Sequence, residues 1–173
     1  NANTKKIQVS NSNASILNLG KGKIPPQAID LERTVLGGLL IDNQALDEVI
    51  TILSSKFFYK TEHQLIFQAI FKLFKNNEPI DLLTVSNQLH KDGNINQIGG
   101  DIYLIELSQM VSSAAHIEYH SRILQEFYLR RKLINFGVEI ADKSYQEEND
   151  VFDLLDSFYS EIEQSSEFLF IKD

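Results

Sequence analysis

Residues 114–147 read AAHIEYHSRILQEFYLRRKLINFGVEIADKSYQE, with Leu129-Arg130-Arg131-Lys132-Leu133-Ile134 at the centre. Ile117, Leu124, Phe127, Ile134, Val138, Ala141 and Tyr145 recur at helical spacing, and the last four step by 4, 3 and 4. Ser112 or Ser113 stands where an N-cap is needed. A helix of roughly 33 residues spans about 50 Å at ~1.5 Å per residue. A compact domain of this size does not need such a helix, so the stretch predicts a surface that meets another chain.

The polar residues Glu147 to Asp150 interrupt the pattern, and Val151, Leu155, Phe158 and Ile162 resume it, again stepping by 4, 3 and 4. Two matched seams joined by a short turn predict an antiparallel helical hairpin over residues 112–166. One seam per helix faces the partner helix. Ile123, Leu133, Phe136, Ile140 and Leu154 are then left on other faces, where a second chain is the natural cover.

Upstream, residues 24–111 predict a helical head. Pro25-Pro26 sets the entry to a helix over 27–42, with Leu31, Val35, Leu36, Leu39 and Leu40 on one side. Gly37-Gly38 inside it each cost about 1 kcal/mol relative to alanine, which points to close approach of another helix. Asn43 is placed to cap a second helix, and Phe57-Phe58-Tyr59 form an aromatic turn. Thr61 opens a third helix, with Leu65, Ile66, Ala69, Ile70, Leu73 and Phe74 inward, and Asn76-Asn77-Glu78-Pro79 breaks it. Asp81 to His90 is a fourth helix, ended by Gly93. Ile98-Gly99-Gly100 turns into a fifth over 101–111, carrying Tyr103, Leu104, Leu107 and Met110. No stretch alternates with a strand period. The fold class is all-α: a compact multi-helix globular head followed by a long antiparallel helical hairpin.

Composition narrows the function. The 173 residues contain no cysteine, which excludes disulfides and cysteine zinc sites. No apolar run is long enough to span a membrane, and no signal peptide is visible, so a cytoplasmic protein is expected. Residues 1–23 are rich in Asn, Ser and Lys and read as a flexible arm, which Ile16, Leu17 and Leu19 would pin to a surface. The opening Asn1-Ala2 reads as a tag remnant, and the end at Phe168–Asp173 as a cut through a longer protein. Four lysines and no acid give residues 1–24 a charge of +4; the whole chain has −8, so the remainder carries −12. An acidic body repels phosphate backbones and argues against duplex binding by this domain.

Four local patterns bear on chemistry or binding. Gly20-Lys21-Gly22-Lys23 lacks the spacing and Ser/Thr of a phosphate loop and reads as part of the basic arm. His116 and His120 sit at i and i+4, a zinc-compatible spacing, but Ile117 stands where a zincin needs glutamate and no third ligand follows. His63, beside Glu62, has no partner at a defined spacing and reads as a helix-start histidine packing on Tyr59. Arg130-Arg131-Lys132 is either a solvated face paired with acids such as Glu126 or a protein contact.

The order of motifs resembles one family. Ile24-Pro25-Pro26-Gln27 leads to Glu32, Val35-Leu36-Gly37, Leu39-Leu40 and Asp42-Asn43. Phe58-Tyr59, His63-x-x-Ile66-Phe67-x-Ala69-Ile70 and Pro79-Ile80-Asp81-Leu82 follow. Ile98-Gly99-Gly100-x-x-Tyr103-Leu104-x-Glu106-Leu107, Ser113-Ala114-Ala115-His116-Ile117-x-Tyr119 and Arg130-x-x-Leu133-Ile134 complete the series. Over residues 24–168 this resembles the N-terminal domain of the bacterial replicative DNA helicase, DnaB type. One departure is Ser112, where that family commonly has proline before the long helix.

The resemblance implies a module without a catalytic, cofactor or metal site of its own. In the parent, ATP and Mg would serve an absent ATPase domain, reached through a linker starting at residues 167–173, and that domain would make most contacts with DNA. Hairpins would pair between subunits into a dimer, and a trimer of dimers would form a hexameric collar that docks primase and a helicase loader. Gly37, Phe58, Tyr59, His63, Tyr103 and Leu107 would be structural. Ile123, Phe127, Arg130, Arg131, Ile134 and Phe136 are the residues chosen for the subunit and partner surface. The alternatives are a stand-alone helical adaptor and an all-α metal-dependent enzyme using the histidines.

Overall fold

The computed structural model describes residues 22–164. The expected linker at 167–173 and nearly all of the expected arm lie outside the described residues. Within them are seven α-helices: α1 (Ile29–Ile41), α2 (Ala45–Val49), α3 (Thr61–Lys75), α4 (Leu82–Lys91), α5 (Asp101–Gln109), α6 (Ile117–Ser144) and α7 (Val151–Gln164), with a 3-10 turn at Ser55–Phe57. No strand occurs among the described residues. The chain divides into two compact units, Pro26–Arg131 and, from Lys132, the hairpin.

Local chemistry sets the helix limits in the head. Asp81 accepts from the Thr84 amide at 2.9 Å, and Thr84 Oγ1 accepts from the Asp81 amide at 2.9 Å, a reciprocal cap on α4. Gly93 (φ 74°) ends that helix, its amide bonding to His90 O while Asn94 N bonds to Leu89 O. Asn77 (φ 55°) does the same for α3, with bonds to Phe74 O and from Glu78 N to Leu73 O. Asparagine tolerates that left-handed conformation better than other non-glycine residues, and Pro79 cannot continue the helix.

In the head, α1 packs on α5 and α3 on α4. Leu36, Leu39, Ile66, Ile70, Leu89, Leu104 and Leu107 are fully buried, together with Leu124 from α6. Each such side chain contributes roughly 1.5–3 kcal/mol of burial. The glycine pair behaves as its position implies. A Cβ at Gly37 would lie 2.4 Å from Leu107 O, so only glycine admits α5 at this distance.

Two expectations shift. The long helix runs from Ile117 to Ser144, not from residue 114 to 147, and spans about 42 Å at ~1.5 Å per residue. Neither Ser112 nor Ser113 is its cap. Ala114 instead packs near Gly38, 3.4 Å from the position of a Cβ there, and Ile117 N bonds to Ala114 O. Packing of this segment on the glycine pair replaces the first helical turn. Asn43 is likewise not the cap of α2; Asp42 Oδ1 accepts from Gln44 N at 3.0 Å.

Candidate interaction surface

The foundation of the surface is the end of the head unit at Arg131. Its guanidinium donates to Pro26 O and Phe57 O, each at 2.8 Å, and lies over the Tyr59 and Tyr128 rings at 5.5 and 6.0 Å. Burial holds its pKa below the ordinary arginine value. Lysine has no planar fork with which to reach both carbonyls in this way. Arg131 was chosen from the sequence as a surface residue, but its donors serve the head.

Deeper in the head, Glu32 and His63 are 1% and 0% exposed. His63 Nδ1 lies 2.5 Å from Glu32 Oε2, and His63 Nε2 lies 2.7 Å from the Tyr103 hydroxyl. Glu32 also accepts from the Tyr59 amide at 2.5 Å. The expectation that His63 packs on Tyr59 is therefore corrected. Its carboxylate partner is 31 residues away on α1, a distance that adjacency in sequence does not reveal. Burial, the largest influence, pushes the Tyr103 phenol up. The chain of hydrogen bonds ties α1, α3 and α5 together.

In the hairpin unit, α7 returns antiparallel to α6. Phe136 and Phe158 meet edge to face, with centroids 5.4 Å apart at 88°, and Lys143 lies 5.4 Å over the Phe158 ring. Phe158 is only 7% exposed. Phe136, Ile140 and Leu154 are half-buried, whereas Ile134, Val138 and Tyr145 are 46%, 43% and 52% exposed. The stripe of α6 expected to face its partner helix thus points away from it, and Phe136 lies inside. On α7 the inward line runs through Leu154 and Phe158, leaving Val151 and Leu155 outward. Heptad spacing finds a stripe but not its partner, and α6 carries two; the aromatic pair and the lysine over Phe158 select between them.

The six chosen residues therefore separate. Ile134 and Arg130 are exposed; Arg130 binds Glu126 Oε1 at 2.6 Å, the ion pair expected one turn away. Ile123 and Phe127 are half-buried in the head unit's part of α6. Arg131 and Phe136 are committed internally. Outward residues absent from the choice include Val138 on α6 and Phe152 and Tyr159 on α7, the last two 72% and 64% exposed. Phe152 and Tyr159 lie one position off the stepped pattern, which is why spacing passed over them.

Elsewhere, the His116 and His120 rings lie edge to face at 6.3 Å, and burial together with the neighbouring imidazole lowers the His120 pKa. Among the described residues no group of three His, Asp or Glu is close enough to hold a metal ion, and no helix is long and apolar enough to cross a membrane. A shallow cleft of about 530 Å³ lies between α4 and α5, bordered by Leu82, Leu83, Asp101 and Ile105.

The model of the DnaB-like helicase N-terminal domain matches residues 24–126. The chain belongs to the DnaB-like helicase N-terminal domain family. It is 44% identical over 141 residues to the replicative DNA helicase DnaB of Rhodothermus marinus, covering 82% of this chain and 15% of that protein. With the DnaB of Geobacillus stearothermophilus it shares 40% over 134 residues, 78% of this chain and 30% of the other. It thus spans well under half the length of these curated relatives. Among solved structures, the N-terminal domain of Mycobacterium tuberculosis DnaB matches with a TM-score of 0.76 at 35% identity, covering 80% of this chain and 98% of that one. A DnaB-like replicative helicase, described with its interactions with primase, shares the fold at a TM-score of 0.61 and 20% identity, covering 80% of this chain and 37% of that one. For a DnaB-like N-terminal domain, the head and hairpin are the family fold.

Proposed function

We propose that this chain is the assembly and docking domain of a cytoplasmic replicative DNA helicase that unwinds duplex DNA at the replication fork. The head unit runs from Pro26 to Arg131, the hairpin unit follows from Lys132, and residues 167–173 lead to the motor. The outward stripe of α6, Ile134 and Val138 above all, pairs with a second copy. Three such pairs close a six-membered collar whose outer surface receives primase and a helicase loader. ATP, Mg and most DNA contacts belong to the part of the parent outside this chain.

The observation that carries this reading is the exposed stripe Ile134, Val138 and Tyr145, backed by a hairpin already packed on its other side. Contiguous apolar surface on a rigid helix marks an interaction site. Gly137, on the same side, has no neighbour within 4 Å of where a Cβ would lie, so nothing among the described residues requires glycine there. A close-packed neighbouring helix would.

Light scattering at micromolar concentration tests the reading. A mass of two chains or more is expected. A single-chain mass up to the highest soluble concentration would overturn it.

A further inference from the structure

Two large apolar side chains of the head stand out toward solvent where α4 meets α5. Leu83 is 69% exposed on the first turn of α4, and Ile102 is 61% exposed on the first turn of α5. Leu83, Leu82 and Ile105 border the cleft of about 530 Å³ between the two helices, and Ile102 sits one turn before Ile105. The fold itself does not call for apolar residues there. The start of α4 is already fixed by the Asp81–Thr84 cap, and Val85, Leu89, Leu104 and Leu107 close the core beneath. Exposed apolar residues with a polar border mark an interaction site.

The cleft is held open and rigid by its own side chains. Asp101, at the start of α5, accepts from Ser86 Oγ and lies 3.1 Å from His90 Nε2, so one carboxylate ties α5 to α4. The Ser86 bond first, then the His90 contact, holds that carboxyl below the ordinary aspartate pKa. A preorganised groove loses little conformational freedom when it is filled. The two helices have ten and nine residues. At ~1.5 Å per residue the groove runs about 15 Å, room for roughly three turns of a docked helix. Such a helix presents apolar anchors at i, i+3, i+4 and i+7.

Charge decides which kind of helix fits. Residues 76–111 carry Glu78, Asp81, Asp92, Asp101 and Glu106 against Lys91 alone, a charge of −4. Asp81 and Asp101 border the cleft, and Glu106 follows Ile105 directly, whereas Lys91 stands at the other end of α4 from Asp81. A second copy of this face would bring the same acids, and like charges at short range oppose the contact. An acidic border around an apolar groove selects a partner with lysines or arginines flanking its apolar side.

We infer that the α4–α5 cleft is a docking groove for a cationic amphipathic helix of another protein. Leu83 and Ile102 hold its apolar side, and Asp81, Asp101 and Glu106 face its cations. The groove lies wholly within the head unit, so this contact does not depend on the pairing of α6.

Methyl NMR of the full chain tests the groove, with a synthetic helical peptide carrying Leu at i, i+3, i+4 and i+7 and Lys elsewhere as the probe. The Leu83, Ile102 and Ile105 methyls should shift along a saturating curve. The same peptide with Glu in place of every Lys should leave them unmoved. The double variant Leu83→Ser/Ile102→Ser, followed at Ile105, should bind roughly tenfold more weakly, with its unfolding midpoint unchanged. Glu106→Lys should weaken binding roughly threefold at low salt and much less in about 1 M salt, where the screening length drops to ~3 Å. No saturating shift in the cleft, shifts confined to α7 methyls such as Leu155 and Ile162, equal binding of the acidic peptide, or full affinity in the double variant would each overturn the inference. So would a groove already filled before peptide is added. Contacts from the Leu83 or Ile102 methyls to residues of the same chain outside the head would give it to the chain itself, and concentration-dependent shifts there would give it to a second copy.

Discussion

His63 Nδ1 lies 2.5 Å from Glu32 Oε2 in a site where neither side chain exceeds 1% exposure. Truncating one member strands the other's polar atoms away from water. His63→Ala and Glu32→Ala should each destabilise the domain by about 3–5 kcal/mol, the range for breaking a buried pair. The double variant should lose clearly less than the two single losses added together, because the second truncation removes a group already stranded. Urea unfolding of the four proteins checks this; additive losses would show that the two groups act independently.

The adjacent glycines of α1 should respond with opposite sign. A Cβ at Gly37 meets a backbone oxygen at 2.4 Å and Val111 Cγ2 at 3.0 Å, so α5 must move. Overpacking of this kind costs typically 1–3 kcal/mol, and helix propensity returns at most about 1 kcal/mol. Gly37→Ala should therefore lower stability. At Gly38 the nearest atoms, Ala114 Cβ and Ile117 Cδ1, are 3.4 Å away, so Gly38→Ala should be neutral or stabilising by up to about 1 kcal/mol. Thermal unfolding midpoints of the two variants, one on each side of the parent, decide it.

The helix-forming stretches of the head and their inward faces were legible because 3.6-residue spacing is local, although the caps expected at Asn43 and at Ser112 or Ser113 did not form. The close approach at Gly37-Gly38 was legible for the same reason: glycine inside a helix is unfavourable without one. The partner of His63 was not, since Glu32 is brought to it only when α1 and α3 pack. Nor was the role of Arg131, whose two carbonyl partners come from the chain entry at Pro26 and the aromatic turn at Phe57. The hairpin faces were misassigned because α6 offers two apolar stripes, and the choice between them depends on Phe158, on another helix.

Acid should erase one surface contribution. Asp92 bonds to Lys72 Nζ at 2.5 Å and to Gln88 Nε2 at 2.8 Å. The lysine bond first, then the glutamine bond, holds its carboxyl below the ordinary aspartate pKa. A lowered folded value stabilises the native state above the unfolded pKa of about 4, and the contribution is lost as pH falls through the folded value. The pair is partly exposed, so Asp92→Asn should cost under about 1 kcal/mol at pH 7. The difference from the parent should shrink as pH falls through the lowered folded value and vanish once the carboxyl is protonated in both states. Equal stabilities at neutral pH would remove the pair from the stability of α3 and α4.

The two sides of α6 should give separable phenotypes. Ile134 and Val138 are exposed and Phe136 meets Phe158, so acid on the outer side should change mass and truncation on the inner side should change stability. Ile134→Asp and Val138→Asp should reduce the species seen by light scattering to a single chain, with helical content and the monomer's unfolding little altered. Phe136→Ala should instead destabilise the hairpin by about 3 kcal/mol, less if the site collapses. Gly137→Ala is the sharpest probe, because it adds one methyl where the chain itself leaves space. It should stabilise the helix by up to about 1 kcal/mol. If a second helix packs there, it should also weaken association. A variant that gains stability and keeps its full mass would move the neighbouring copy off this side of α6.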